Sequence, residues 1–257
     1  MGKTEIRIFN NSEDLSVNAA ELIYRLSKLY QKTKGRFTIS LSGGETPKAV
    51  YSRLGEEPFK SGILWERTFL FWGDERCLST TGIKTNFEMV YKTLLSKIPI
   101  PFSNIFRIRT ELGADRAARE YENTIKNMLG ETPVFDLILL GVGSDGHTAS
   151  LFPASGALLE NKKLAVASYV EKLKADRVTL TLPVFNNAEN IVFLVTGKGK
   201  AEIVKTLLDS GDNTGDSLPV QFIKPRRGNC LWFLDKEAAS LLSAETIKSL
   251  SYRTAET

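Results

Sequence analysis

This sequence predicts an α/β fold: one mainly parallel, doubly wound sheet with helices on both faces. Three observations carry that expectation. Strand-length apolar runs alternate along the chain with segments of helical periodicity. The run Phe135-Asp136-Leu137-Ile138-Leu139-Leu140 is almost continuously apolar, as in a strand covered on both sides. Turns rich in glycine or charge follow three of the strands directly. With no internal repeat, low-complexity segment or linker in view, residues 1–257 are expected to form a single domain.

The elements follow in order. Residues 5–9 alternate polar and apolar side chains as a short strand does, and Asn11 and Ser12 offer N-cap side chains. Leu15, Ala19, Leu22, Leu26 and Leu29 then share one helical face until Gly35 breaks the pattern. Phe37–Leu41 is a strand running into Ser42-Gly43-Gly44, after which Thr46 and Pro47 read as N-cap and first residue of a helix. Thr68–Trp72 is an apolar strand ending at Gly73-Asp74-Glu75-Arg76. Thr85 and Glu88 have capping-box spacing ahead of Met89, Val90, Leu94 and Leu95. A helix over Ala114–Leu129 leads to the strand at 135–140, which ends in a glycine loop at 141–147. Strands at 177–182, 190–195 and 230–234, a helix at 200–208 and a polar loop at 210–217 complete the reading.

Composition excludes several classes. At 42% hydrophobic and 25% charged residues the chain is neither fibrous nor disordered. No signal-like segment opens it and no apolar run reaches about 18 residues, so neither export nor a membrane is expected. Cys77 and Cys230 stand outside any redox or metal spacing, which suits a reducing compartment and a cytoplasmic protein. The net charge of +4 is mild, and its densest basic group, Lys224, Arg226 and Arg227, is too light for a nucleic-acid footprint. One histidine and two scattered cysteines cannot build a zinc tetrahedron, although carboxylates for magnesium stay open.

Ligands of doubly wound sheets bind beyond the carboxyl ends of the strands, and the unusual residues of this chain fall there. Ser42-Gly43-Gly44 can present backbone N–H groups and a helix N-terminus to an anion, or it can be a plain tight turn. Gly141, Gly143 and Gly146 match the dinucleotide spacing, but Pro153 follows too soon for the long helix that motif requires. His147 is the only histidine, beside Asp145 in that loop. Imidazole accepts a proton near neutrality, and a carboxylate such as Asp145 or Asp74 can hold its tautomer; the alternative is a loop histidine bonded to backbone. Arg76 offers a planar fork for phosphate or carboxylate, while Arg177 and Lys200 are basic residues at element starts. Each charge taken alone reads first as a solvated surface group.

Taken together, Leu41-Ser42-Gly43-Gly44-Glu45-Thr46-Pro47, Trp72-Gly73-Asp74-Glu75-Arg76 and the run Leu140-Gly141-Val142-Gly143-Ser144-Asp145-Gly146-His147-Thr148-Ala149-Ser150-Leu151-Phe152-Pro153 resemble the 6-phosphogluconolactonase family. That family sits in a wider group with glucosamine-6-phosphate deaminases. Residues 177–181, 197–201 and 232–235 extend the resemblance in order across nearly the whole chain. It implies hydrolysis of 6-phospho-D-glucono-1,5-lactone in the oxidative pentose phosphate pathway, without nucleotide or metal cofactor, on a small phosphorylated sugar lactone rather than a nucleic acid or membrane. By the same resemblance His147 is the catalytic base and Asp74 and Arg76 occupy active-site positions, while Asp145 is a catalytic candidate by its place beside the histidine. Ser42, Gly43, Gly44 and Thr46 with Arg177 and Lys200 would hold the substrate and its phosphate. Oligomeric state is left open. Two rivals remain: a hexosamine-6-phosphate deaminase, whose pattern departs from Thr148-Ala149-Ser150-Leu151-Phe152-Pro153, and a non-catalytic sugar-phosphate sensor, which would not need a base.

Overall fold

A computed structural model describes residues 4–77, 85–209 and 218–250; the polar loop expected at 210–217 lies outside the described residues. Its main sheet has seven parallel strands in the order β1 (Thr4–Phe9), β10 (Asn229–Asp235), β9 (Asn190–Val195), β6 (Leu137–Leu140), β2 (Phe37–Leu41), β3 (Thr68–Trp72) and β5 (Ile105–Phe106). From β2 the chain winds outward through β3 to β5. It then returns to lay β6 on the other side of β2 and continues through β9 to β10, which sits between β9 and the edge strand β1. The β2–β6 boundary is thus the topological switch point, where the loops leaving two neighbouring strands diverge and open a crevice.

Helices α1 (Ser12–Lys34), α2 (Glu45–Leu54), α3 (Phe59–Gly62), α4 (Asn86–Val90), α5 (Ala114–Leu129), α6 (Gly156–Leu159), α7 (Leu182–Phe185), α8 (Ala201–Asp209) and α9 (Ala244–Leu250) surround the strands in the doubly wound manner. Local chemistry sets their ends. The Asn11 side chain accepts from the Asp14 N–H at 2.8 Å, and Gly35 stops α1 in the left-handed region at φ 74°. Thr85 caps α4 by accepting from the Glu88 N–H at 2.9 Å, and one π-helical turn over Tyr91–Leu95 continues it. Strands β2, β6 and β9 are buried along their whole lengths, and one continuous apolar core runs from Ile6 to Ala239. Strand β6 starts at Leu137 rather than 135 because Asp136 takes up the neighbouring strand's polar groups. Its carboxylate accepts from the Thr38 N–H and hydroxyl, each at 2.8 Å.

Two sequence expectations change here. Residues 177–182 do not join the parallel sheet. Strand β8 (Ala175–Leu180) instead lies between β4 (Asp74–Arg76) and β7 (Ala165–Val170) in a separate antiparallel sheet, so the charged segment after β3 is a strand and not a turn. The second change concerns Thr46, which is not the N-cap of α2. Gly44, at φ 110°, turns the chain two residues earlier, and its carbonyl accepts the Lys48 N–H that closes the first helical turn. Released from capping, the Thr46 hydroxyl pairs with that of Thr196 at 2.7 Å, joining the loops that follow β2 and β9.

Candidate active site

A cleft of about 480 Å³ opens at the switch point. Of the residues singled out in the sequence, Ser42, Gly43, Gly44, Thr46, Asp74, Arg76, His147, Arg177 and Lys200 all line it. Asp145 does not line the cleft but contacts His147, which does. Pro47 and Glu45 from α2, and Leu194, Val195 and Thr196 from the end of β9, complete much of the wall.

The glycine loop after β2 is held from behind. The hydroxyl of Tyr51, fully buried on α2, accepts from the Ser42 N–H at 2.9 Å and donates to the Ser42 carbonyl at 2.8 Å. On α5 the Tyr121 hydroxyl grips Trp72 at the end of β3 in the same way, at 2.8 Å on both bonds. Burial raises both phenols, so they remain neutral donors and acceptors. Neither tyrosine was distinguishable in the sequence from an ordinary apolar helix face.

The loop after β6 folds back on itself instead of opening a helix, which removes the dinucleotide reading. The Gly143 N–H donates to the His147 carbonyl at 2.8 Å, and the Gly146 N–H to the Gly143 carbonyl at 3.0 Å. Gly146 sits at φ 74°, and a Cβ on Gly143 would lie 2.0 Å from His147 Nδ1, so the imidazole occupies the space that the glycine leaves open. His147 Nδ1 meets Asp145 Oδ1 at 2.5 Å, while Phe152 stacks on the ring face with centroids 4.1 Å apart. Burial acts to raise the Asp145 carboxyl, but its bonds to the ring and backbone of His147 outweigh this and hold it below the ordinary range. An ionised Asp145 places the proton on Nδ1, which leaves Nε2 as the nitrogen available to the cleft. The side chain of His147 is 31% exposed, so it is neither buried in packing nor detached from the site.

On the opposite wall, β4 and β8 set Arg76 directly across from Arg177 and Asp74 across from Thr179. Asp74 is buried, yet both of its carboxylate oxygens are bonded. Ser150 Oγ donates to Oδ2 at 2.6 Å, and Asn86 Nδ2 approaches Oδ1 at 3.2 Å and the Asp74 carbonyl at 2.9 Å. Ala149, held at φ 49° between His147 and Ser150, is the bend that lets one loop serve both walls. Arg177 Nε is buried without a hydrogen-bond partner among the described residues. Burial pulls this guanidinium down from its ordinary value, and the neighbouring Asp74 carboxylate acts in the opposite sense. Arg76 and Arg177 are cross-strand neighbours whose charges repel, and an anion placed between them would relieve that repulsion.

Beside them, Glu75 points away from the cleft and is almost wholly buried. Its carboxylate accepts the N–H groups of Arg76 at 2.8 Å, Asn86 at 2.7 Å and Phe87 at 2.8 Å. Burial nevertheless pushes it from an ordinary 4.5 up to about 7. Between those values the native chain binds more protons than the unfolded one, so Glu75's contribution to stability falls as pH rises through that window. Thermal melts at about pH 5 and about pH 8 test this: the parent should lose Tm relative to Glu75→Gln on going to the higher pH. A Tm difference that stays constant would show that Glu75 does not titrate there.

Asn86, Ser150, Thr196 and Tyr51 are site residues that sequence reasoning missed; Ser150 and Thr196 are defined by partners 76 and 150 positions away, and Tyr51 and Asn86 by contacts across a turn that no periodicity marks. Among the described residues no group of three or more His, Cys, Asp or Glu side chains is gathered for a metal ion.

Comparison with known proteins agrees with this geometry. Residues 10–232 match the family model described as glucosamine-6-phosphate isomerases/6-phosphogluconolactonase. Probable 6-phosphogluconolactonase 2 of Oryza sativa is 36% identical over 94% of this chain and 91% of its own length. The Arabidopsis thaliana protein named 6-phosphogluconolactonase 3, chloroplastic, is 36% identical over 93% of this chain and 76% of its own. The structure of 6-phosphogluconolactonase from Trypanosoma cruzi superposes with a TM-score of 0.83 at 30% identity, over 95% of this chain and 99% of that one. This chain therefore belongs to the glucosamine-6-phosphate isomerase/6-phosphogluconolactonase family.

Proposed function

We propose that this protein is a 6-phosphogluconolactonase, hydrolysing 6-phospho-D-glucono-1,5-lactone to 6-phosphogluconate in the oxidative pentose phosphate pathway. One observation carries the reading: a single cleft holds an imidazole oriented by a carboxylate, a guanidinium pair and a glycine loop at a helix N-terminus. A lactone is an activated ester. Its opening needs a base to take a proton from water and a donor for the oxygen that gains charge.

His147 Nε2 takes the proton from water, and Asp145 steadies the imidazolium that results. Water adds to the lactone carbonyl, the ring C–O bond breaks, and the proton is returned to the departing ring oxygen; no covalent enzyme intermediate is required. The N–H groups of Gly143 and Gly146 are already committed inside their loop, which favours the Arg76 guanidinium as oxyanion donor. The phosphoryl group is held by the backbone N–H groups of Gly43 and Gly44 and the Ser42 side chain at the head of α2, with Arg177, Lys200 and the Thr46 hydroxyl, while the Ser42 backbone stays bonded to Tyr51. Asp74 supplies an acceptor for a sugar hydroxyl. The same reading takes residues 1–257 as one domain, supported by the continuous core, and places it in the cytoplasm with Cys77 and Cys230 as free thiols. No described helix is long and apolar enough to cross a membrane.

The deciding assay generates the lactone in situ from glucose 6-phosphate and follows its loss with and without the protein, with glucosamine 6-phosphate as control substrate. Accelerated lactone loss and an inert control are expected; release of ammonia from the amino sugar would move the protein to the deaminase branch. Gly143→Ala provides a second check on the base, because the added methyl must displace the imidazole it would overlap. Turnover should fall by about a hundredfold, the cost of a misplacement of about 1 Å, with Michaelis constant little changed. A parent-like kcat would show that the ring position is not critical.

A further inference from the structure

We propose that Asn86 is a positioning residue: its buried amide fixes the Asp74 carboxylate and packs against Gly43 at once, coupling the acidic wall of the cleft to the glycine loop. This deepens the lactonase reading and rests on it. Asn86 opens α4, and its own N–H is anchored by Glu75, so the side chain does not swing freely. Its Nδ2 serves both the carbonyl and the carboxylate of Asp74, while its Oδ1 lies where a Cβ on Gly43 would come to 2.0 Å. Gly43 is therefore a glycine because Asn86 is there. The amide touches the two walls that the proposed reaction must keep in register, one for the sugar hydroxyls and one for the phosphoryl group.

Asn86→Asp separates positioning from folding. The substitution keeps the shape of the side chain but replaces its donor with a second acid facing Asp74. At about pH 8 the new carboxylate repels Asp74 instead of donating to it, and kcat/KM should fall about 30-fold or more. Two carboxylates at hydrogen-bonding distance come to share one proton as pH falls, and a protonated Asp at this position again donates to Asp74. The ratio of variant to parent activity should therefore recover at least about threefold between pH 8 and about pH 5.5. Around Asp74 stand Glu75 on its own strand, Arg177 on β8 and Tyr51 on α2, with Ser150 as the second donor. All are present in both proteins, but Glu75 accepts the N–H of residue 86 and is raised to about 7, so the new acid shifts it too. The same ratio is therefore measured in a Glu75→Gln background to remove that titration. A ratio that stays flat with pH, or parent-like activity at pH 8, overturns the proposal.

A second measurement holds even if that variant fails to fold, and it does not depend on what the cleft binds. Gly43→Ala should lower Tm in the parent and cost less than about half as much in an Asn86→Ala background, where its clash partner is gone. Equal losses in both backgrounds would overturn the coupling. Should the parent fail to open the lactone, the functional reading falls while this thermal cycle still decides whether Asn86 and Gly43 are coupled.

Discussion

Replacing His147 by alanine is expected to lower turnover of the lactone by about 10² to 10⁴, the usual contribution of a general base, while the fold and the affinity for 6-phosphogluconate are kept. The size of the effect follows from how completely the ring is dedicated to the cleft. Asp145 occupies Nδ1, Phe152 covers one face, and Gly143 leaves the pocket in which the ring sits. The partly exposed imidazole contributes little to the core, so its loss should shift Tm by no more than about 2–4 °C. Asp145 also faces Lys172, whose ammonium lies 3.5 Å from Oδ2 on a largely exposed side chain. That pair is solvent-screened and is worth little by itself, so the His147–Asp145 contact dominates. Initial rates and melts on the same preparation distinguish the outcomes. Parent-like turnover would remove His147 from the chemistry, and a collapsed melt would make its role structural.

Much of this site was legible because its signals are local. Apolar runs at 37–41 and 137–140 with glycine turns behind them identify strand ends without any tertiary information, and the switch point then brings those ends together. His147 and Asp145 stand two residues apart, so their contact is already implicit in the sequence. What stayed hidden depends on partners far along the chain. Ser150 reaches Asp74 across 76 positions, and the β4–β8 pairing that opposes Arg76 to Arg177 joins a three-residue charged strand to one about a hundred positions later. No periodicity announces so short a strand, which is why Asp74-Glu75-Arg76 looked like a solvated turn. Thr46 misled for a related reason: a Thr-Pro pair is a strong capping signal, and only the left-handed geometry of Gly44 overrides it.

Arg177→Ala should raise the Michaelis constant by about 10- to 100-fold and leave kcat within about threefold, since a charged hydrogen bond to a remote phosphoryl group acts on ground state and transition state alike. The same substitution should cost little stability, which is unusual for a half-buried residue. Arg177 has an unpartnered buried Nε, its guanidinium is held down by burial, and Arg76 stands opposite in the paired strand. Asp74 offsets part of that strain, and removing Arg177 relieves the rest, so Tm without ligand should stay within about 2–4 °C of the parent or rise. Ligand reverses the order: saturating 6-phosphogluconate should raise the parent's Tm more than the variant's, because stabilisation follows affinity. Arg177→Lys should restore only part of the loss, since an ammonium cannot reproduce the planar fork. A parent-like Michaelis constant together with an undiminished thermal shift would take Arg177 out of the anion site, leaving the glycine loop and Lys200 to hold the phosphoryl group.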